Sequence, residues 1–384
     1  MLTIGQGDYF TRVARGVLAY ARGRPGWTLS LTIWAYADPV VMAAAIGPDG
    51  VIGDLRDRAW ARGLRKLGLP VVNVGHAIPL PTVPRVGPDE TAAGALAAEH
   101  LWDTGLRDFA VFGAGRELFA RERERGFVAA VRARGGRVHT GAGARPAGRG
   151  RPTDDDCDWV RSLPTPIGVF ACSDFTALRL TQACRAAAVR IPEDVAVVSM
   201  DNDALFCESA NPPLSSVDNP GERIGFAAAE LLDGLMTKTG GGPGSRGRLG
   251  RGVAAVVEPV LVRPPFVVTR RSSDVVAVGD PEVAAAVRFI RENAHRPLGV
   301  AAVVRARNVS RRWLERRFRE LLGRSPLQEV RRARIERVKD LLRSTDLPIA
   351  QVAARCGFAS AANLSAMFRK EAGTTPARFR AGAG

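Results

Sequence analysis

At 384 residues and 46% apolar composition, the chain is too long for one ordinary domain and apolar enough for each of two or three domains to bury a core, which argues against disorder. It contains no run of about 18 apolar residues, its start MLTIGQGDYFTR lacks the layout of a secretory signal, and its five scattered cysteines and four scattered histidines form neither a disulfide framework nor a zinc motif. The net charge of +16 is segregated: residues 281–384 hold 22 Lys and Arg against nine Asp and Glu, the footprint of a phosphate-binding module, and an arginine-biased composition explains Arg over Lys but not this placement.

In chain order, only MLTIGQ precedes Gly7, and residues 27–46 are few for a complete strand and helix, so a truncated first strand is expected. From about residue 16 to 270, short apolar runs alternate with helix-period segments. GVLAYA, DGVIGDL, LPVVNVG, DFAVFGAG, PIGVFACSD and DVAVVSMDND each read as a buried strand ending in a turn, with helices over 59–67, 92–102, 122–133 and 176–188. This alternation predicts doubly wound parallel α/β sheets in two lobes, with ligand sites at the carboxyl ends of the strands. Residues 135–156 and 238–252 read as loops. After VRPPFVVTRRSSD the pattern turns almost wholly helical. The expected organisation is an α/β domain over 1–270, a linker over 271–280 and an all-α domain over 281–384.

Within LGVAAVVRARNVSRRWLERRFREL, Val300, Val303 and Val304 set one apolar face and Asn308 occupies a tight turn. Ser310 then caps a second helix that turns Leu314, Phe318 and Leu321 inward and Arg311, Arg312, Arg316 and Arg319 elsewhere. The arrangement recurs in LPIAQVAARCGFASAANLSAMFRKEAG. Here Ile349, Val352, Ala353 and Phe358 are expected to be buried, Gly357 to turn, Ser360 to cap, and Leu364 and Phe368 to face the core. A long helix over 327–343 joins the two helix-turn-helix units.

With its two units and the ending FRKEAGTTPARFR, the C-terminal segment resembles the AraC family of transcription regulators. The resemblance implies two recognition helices in neighbouring major grooves of double-stranded DNA. It places base-reading positions at Arg312, Glu315 and Arg316 in the first helix and at Ala361, Ala362 and Ala366 in the second, with Ser360 and Asn363 beside them. Arg can bond guanine bidentately and Glu can accept from cytosine, whereas Ala can only touch thymine methyls. The first helix is therefore expected to carry specificity and the second mainly affinity. Arg311, Arg319, Arg369 and Lys370 are phosphate candidates, although a solvated helix face would account for any single one.

Through RERERGF, PIGVFACSDFTAL, IPEDVAVVSMDND and NPPLSSVDNP, the earlier two-thirds resembles the periplasmic-binding-protein-like fold of LacI-type repressors. Such a sensor ahead of an AraC-type module is the arrangement of the xylose operon regulators of the XylR type. The resemblance implies sugar contacts at Arg123, Asp174 and Asp201, with Asp8 and Tyr9 in the first strand-to-helix loop, and Phe10, Phe175 or Phe206 could stack on the sugar. Capping of the following helix is the plain alternative for each Asp. The implied protein is a cytoplasmic, cofactor-free homodimer that binds operator half-sites, responds to a small sugar such as a pentose and recruits RNA polymerase. Two alternatives stay open: an α/β domain that only dimerises, and a carbohydrate-active enzyme using Asp174 and Asp201 as an acid/base pair.

Overall fold

A computed structural model describes residues 1–33, 36–113, 115–139, 152–238, 257–275, 280–345 and 347–381. The chain divides into two compact units, with the main-chain division between Asp274 and Val275.

The first unit opens with β1 (Leu2–Ile4), α1 (Asp8–Arg22), β2 (Leu31–Ile33), α2 (Pro39–Ile46), β3 (Val51–Gly53), α3 (Arg58–Lys66) and β4 (Val71–Asn73), which wind a parallel sheet of order β2-β1-β3-β4. After β5 (Val86–Pro88), the chain crosses into a second lobe. This lobe comprises α4 (Glu90–Trp102), β6 (Asp108–Phe112), α5 (Leu118–Ala133), β7 (Arg137–His139), α6 (Asp154–Ser162), β8 (Ile167–Ala171), α7 (Asp174–Ala186), β9 (Val195–Asp201), α8 (Ala204–Ser209) and β10 (Ser215–Asp218). The chain returns through α9 (Gly221–Lys238) to pack on α1, and β11 (Val260–Val262) pairs in parallel with β5. Finally β12 (Val267–Val268) adds antiparallel to β10, giving the second sheet the order β12-β10-β9-β8-β6-β7. Every residue of β8 is buried, as expected of a parallel strand covered by helices on both faces.

Several expectations need correction. The first strand is present: β1 is three residues long, entirely buried, and sits between β2 and β3. GVLAYA is not a strand but lies within α1. Val13 just before it and Val17 and Tyr20 within it are buried at helical spacing, and six apolar residues cannot by themselves distinguish a buried helix from a strand. The loop expected over 135–156 contains β7, an edge strand on β6, and the first turn of α6. There Thr153 and Asp156 form a reciprocal capping box, and Asp154, Asp155 and Asp156 favour the positive helix end. Residues 140–151 of that loop, and 239–252 of the loop expected after Lys238, lie outside the described residues. The expected linker begins too early: Arg271–Ser273 form a 3-10 turn in the first unit, where buried Ser272 donates to Val197 O at 2.7 Å and accepts from Ser215 N at 2.8 Å. Residues 276–279 of the linker lie outside the described residues.

Helix crossings fix the site's walls. In the second lobe α4 and α5 meet at Gly94 and Gly126, where an added Cβ would run into the carbonyl oxygens of Arg123 and Thr91, respectively. Only glycine permits that approach, so the α5 backbone carrying Arg123 lies directly against α4.

The second unit is helical: α10 (Pro281–Glu292), α11 (Val300–Arg307), α12 (Arg311–Leu322), α13 (Pro326–Ser344), α14 (Ile349–Arg355), α15 (Ala361–Ala372) and α16 (Pro376–Ala381). It has two small cores. Val283, Val287, Ile290, Val303, Leu314 and Phe318 build the first, and Ile335, Val338, Val352, Leu364 and Phe368 build the second. Among the described residues, no helix is long and apolar enough to cross a membrane.

Candidate functional site

A cavity of about 200 Å³ lies in the first unit at the carboxyl ends of the strands of both lobes, and Asp8, Tyr9, Arg123, Asp174 and Asp201 all line it. Its size is below the ~300–1,000 Å³ of sites for drug-sized ligands, so it suits a small molecule. Glu90 and Asn219, at two of the chain crossings between lobes, line it as well, as do Asp54, Arg56, His76 and Asp203. The sequence reading missed these. Asn219 follows β10 directly and Glu90 lies two residues past β5, at the start of α4, and that strand-end position was the one signal that could have found them.

Arg123 is the hub. Its Nε donates to Glu90 Oε2 at 2.6 Å, its Nη1 to Cys172 O at 2.7 Å and its Nη2 to Asp201 Oδ1 at 3.3 Å. Burial opposes its charge, but the Glu90 and Asp201 carboxylates outweigh that and hold its pKa above the ordinary arginine value. Burial raises the Glu90 pKa, against the pull of Arg123. Burial, followed by the Arg85 and Arg123 charges, pushes His76 down to about 4, so its ring is neutral near pH 7.

The aspartates divide into two roles. Asp174 is 1% exposed; its Oδ1 accepts from Ser199 Oγ at 2.5 Å and Ser216 Oγ at 2.6 Å, and its Oδ2 from Asp203 N at 2.7 Å. Burial, then the Asp201 charge, pushes its carboxyl up to about 7. The cap of α7 is Ser173, not Asp174, so the capping alternative fails there. Asp201 keeps room for a ligand. Its side chain is 27% exposed, and its Oδ1 accepts only long bonds from Arg123 and from Asn219 Nδ2 at 3.2 Å. Tyr9 turns its hydroxyl to Val74 O at 2.7 Å, while Asp8 pairs with Arg12 at 3.0 Å. Phe175 and Phe206 meet edge-to-face at 5.8 Å on the lining, and Phe10 is buried at its edge.

The second unit repeats one device twice. Ser310 Oγ accepts from Trp313 N and Ser360 Oγ from Asn363 N, and each capped helix ends on a left-handed glycine, Gly323 or Gly373. The paired positions Leu314/Leu364 and Phe318/Phe368 are all fully buried. Leu322, rather than Leu321, completes the buried face of α12, and Leu321 packs at its edge. The turns lie at Asn308, with φ 52°, and Gly357, with φ 70°.

Arg311, Arg312, Arg316 and Arg319 are exposed on α12, and Ala362, Asn363, Ala366, Arg369 and Lys370 on α15, with Ser360 at its cap and Ala361 half-buried. Glu315 is held by Arg311 at 2.8 Å. Among the described residues, Arg312, Arg319, Arg369 and Lys370 have no carboxylate partner.

Residues 98–273 match the family described as a periplasmic binding protein-like domain, and residues 303–382 match a helix-turn-helix domain family. The chain is 30% identical over 342 residues to the xylose operon regulatory protein of Escherichia coli K12, covering 86% of this chain and 83% of that relative. The chain belongs to the family of the xylose operon regulatory proteins. A member from Haemophilus influenzae is 29% identical over 341 residues, covering 86% of this chain and 84% of its own length. A solved structure described as the xylose-binding transcription activator XylR superposes with a TM-score of 0.55 at 27% identity, covering 99% of this chain and 97% of that one. The protein is a DNA-binding transcription regulator, not an enzyme.

Proposed function

We propose that the cavity binds a small neutral sugar, a pentose such as D-xylose, and that the sugar controls DNA binding by the helical unit. A sugar exchanges many hydroxyl hydrogen bonds at once, and each hydroxyl left unpaired costs about 1–3 kcal/mol. The arrangement of Arg123 between Glu90 and Asp201, with Asp8 and Asn219 on the same cavity, supplies planar donors and acceptors suited to that exchange. This convergence carries the reading, and the relatives named for a xylose operon support it. In this reading Arg123 and Asp201 contact the sugar, Asp8 and Tyr9 shape the first-lobe wall, Phe10, Phe175 and Phe206 offer apolar faces, and Asp174 braces the 201–203 loop.

The sugar stabilises the closed arrangement of the lobes and shifts the equilibrium of a cytoplasmic homodimer toward the form that engages paired operator half-sites and recruits RNA polymerase. Arg312, Glu315 and Arg316 read bases. Ala361, Ala362 and Ala366 allow close approach, with Ser360 and Asn363 beside them, and Arg311, Arg319, Arg369 and Lys370 take phosphates. Isothermal titration with a panel of pentoses and hexoses tests the sensing half. Binding of one pentose in preference to hexoses is expected, and absence of heat with every sugar overturns the reading.

A further inference from the structure

We propose that Arg12 is a positioning residue of the ligand site: reaching from α1 of the first lobe to the strand ends of the second, it holds Asp201 in the backbone conformation that aims its carboxylate at Arg123. The inference rests on the sugar-binding reading above.

Asp201 has φ 117°, in the region that favours glycine, and Asn202 follows with φ 53°. An L-residue keeps such a conformation only where its surroundings over-determine it, and such residues cluster at ligand clamps. Here the surroundings are explicit. Arg12 Nη2 donates to Asp201 O at 2.6 Å and Nη1 to Asp218 Oδ1 at 3.0 Å. Asp218 Oδ1 also accepts from Asn202 Nδ2 at 2.9 Å, Asn202 N donates to Ser216 Oγ at 3.0 Å, and Arg270 Nη2 donates to Asn202 Oδ1 at 2.9 Å. Of these groups, Arg12 alone comes from the first lobe.

One turn earlier on α1, the Asp8 amide donates to Asp203 Oδ2 at 3.2 Å, and the Asp203 amide in turn donates to Asp174. The first two turns of α1 therefore grip both ends of the 201–203 loop, although Arg12 does not itself line the cavity. Separating the lobes breaks both grips at once and frees Asp201 to leave its strained conformation, so the site is complete only when α1 is docked. A purely structural ion pair with Asp218 would affect folding but not ligand affinity, which sets the test.

The full-length chain, its R12M and R12K variants and D218N are titrated with D-xylose, and their thermal unfolding without sugar is measured alongside. Affinity about tenfold weaker or worse in R12M is expected, corresponding to one or two lost charge-assisted hydrogen bonds. Partial rescue by R12K and a smaller loss in D218N, the variant to rely on if R12M does not fold, are also expected, with little change in unliganded melting. R12M or D218N binding as tightly as wild type, or losing melting temperature with affinity intact, overturns the proposal. Amide exchange at Asn202 and Asp203 without sugar provides an arm independent of the ligand. Faster exchange in R12M supports the clamp even if wild type binds no D-xylose, a result that would count against the sugar reading instead, and unchanged exchange overturns the clamp.

Discussion

Arg123 Nε donates to Glu90 Oε2 at 2.6 Å across the α4 and α5 crossing, and the two side chains are only 5% and 2% exposed. Two charges this far from water are stable only as a pair, because either one alone would bear its full desolvation penalty. The pair presents the remaining guanidinium edge to Asp201 and the cavity. The wall of the site is thus an ion pair tying two helices of one lobe together.

Glu90→Leu is expected to destabilise the first unit by about 3–5 kcal/mol, since it leaves a buried guanidinium with only the long bond to Asp201 for charge balance. Urea denaturation checks this, and a loss under about 1 kcal/mol would mean the pair contributes little.

Gly94→Ala drives a methyl into the Arg123 carbonyl oxygen. Helices α4 and α5 must separate, at a cost of about 1–3 kcal/mol, and the guanidinium moves with its backbone. Loss of both stability and sugar affinity is expected. An unaltered melting curve would show that the crossing relaxes freely.

Asp174 contributes a pH dependence of its own, beside those of Glu90 and His76. Its carboxyl is pushed up to about 7 in the folded chain, against about 3.9 when unfolded. Between those values the folded state holds a proton the unfolded state has released, so this group's contribution is fully present below about pH 4 and falls by up to about 1.4 kcal/mol per pH unit as pH rises toward 7. Asp174→Asn removes that slope; its Oδ1 can still accept from the Asp203 amide, while its Nδ2 faces the Ser199 and Ser216 hydroxyls, which must accept where they donated before. The difference between wild type and variant, followed by denaturant titration from pH 4 to 8, should therefore depend on pH. A constant difference would show that Asp174 titrates normally.

On DNA, Arg316→Ala and Arg369→Ala should behave differently. The first is expected to cost about 1–3 kcal/mol on the preferred operator and to relax discrimination at one base pair. The second should weaken binding evenly across sequences and reduce the salt slope by about one. Competition binding on an operator and its point variants at several salt concentrations separates the two; identical behaviour of the variants would remove the assignment of specificity to α12.

Gly357 has φ 70°, and a Cβ there would fall 2.5 Å from Arg296 C. Gly357→Ala should destabilise the second helix-turn-helix unit by about 1–3 kcal/mol. Asn308→Gly, at φ 52° in the equivalent turn, should stay within about 1 kcal/mol, because Asn and Gly both tolerate that conformation. Similar losses for both changes in chemical unfolding would argue against a backbone origin.

The sequence by itself determined the helical unit and the alternation of the first. Ser310 and Ser360 caps, the Asn308 and Gly357 turns and the Leu314, Phe318, Leu364 and Phe368 faces are legible because each acts within a turn or two of its own chain, where spacing and residue type suffice. The strand-end aspartates were legible for the same reason. Only the tertiary structure decided that GVLAYA is helical, since its apolar side chains answer to α9, more than two hundred residues away in sequence. It also decided that Glu90, Arg123, Asp201 and Asn219 converge on one cavity while Asp174 turns into the β9 and β10 hydroxyls. Those outcomes depend on how the lobes cross and close, and the direction of a buried charge is set by whichever distant partner offsets its desolvation.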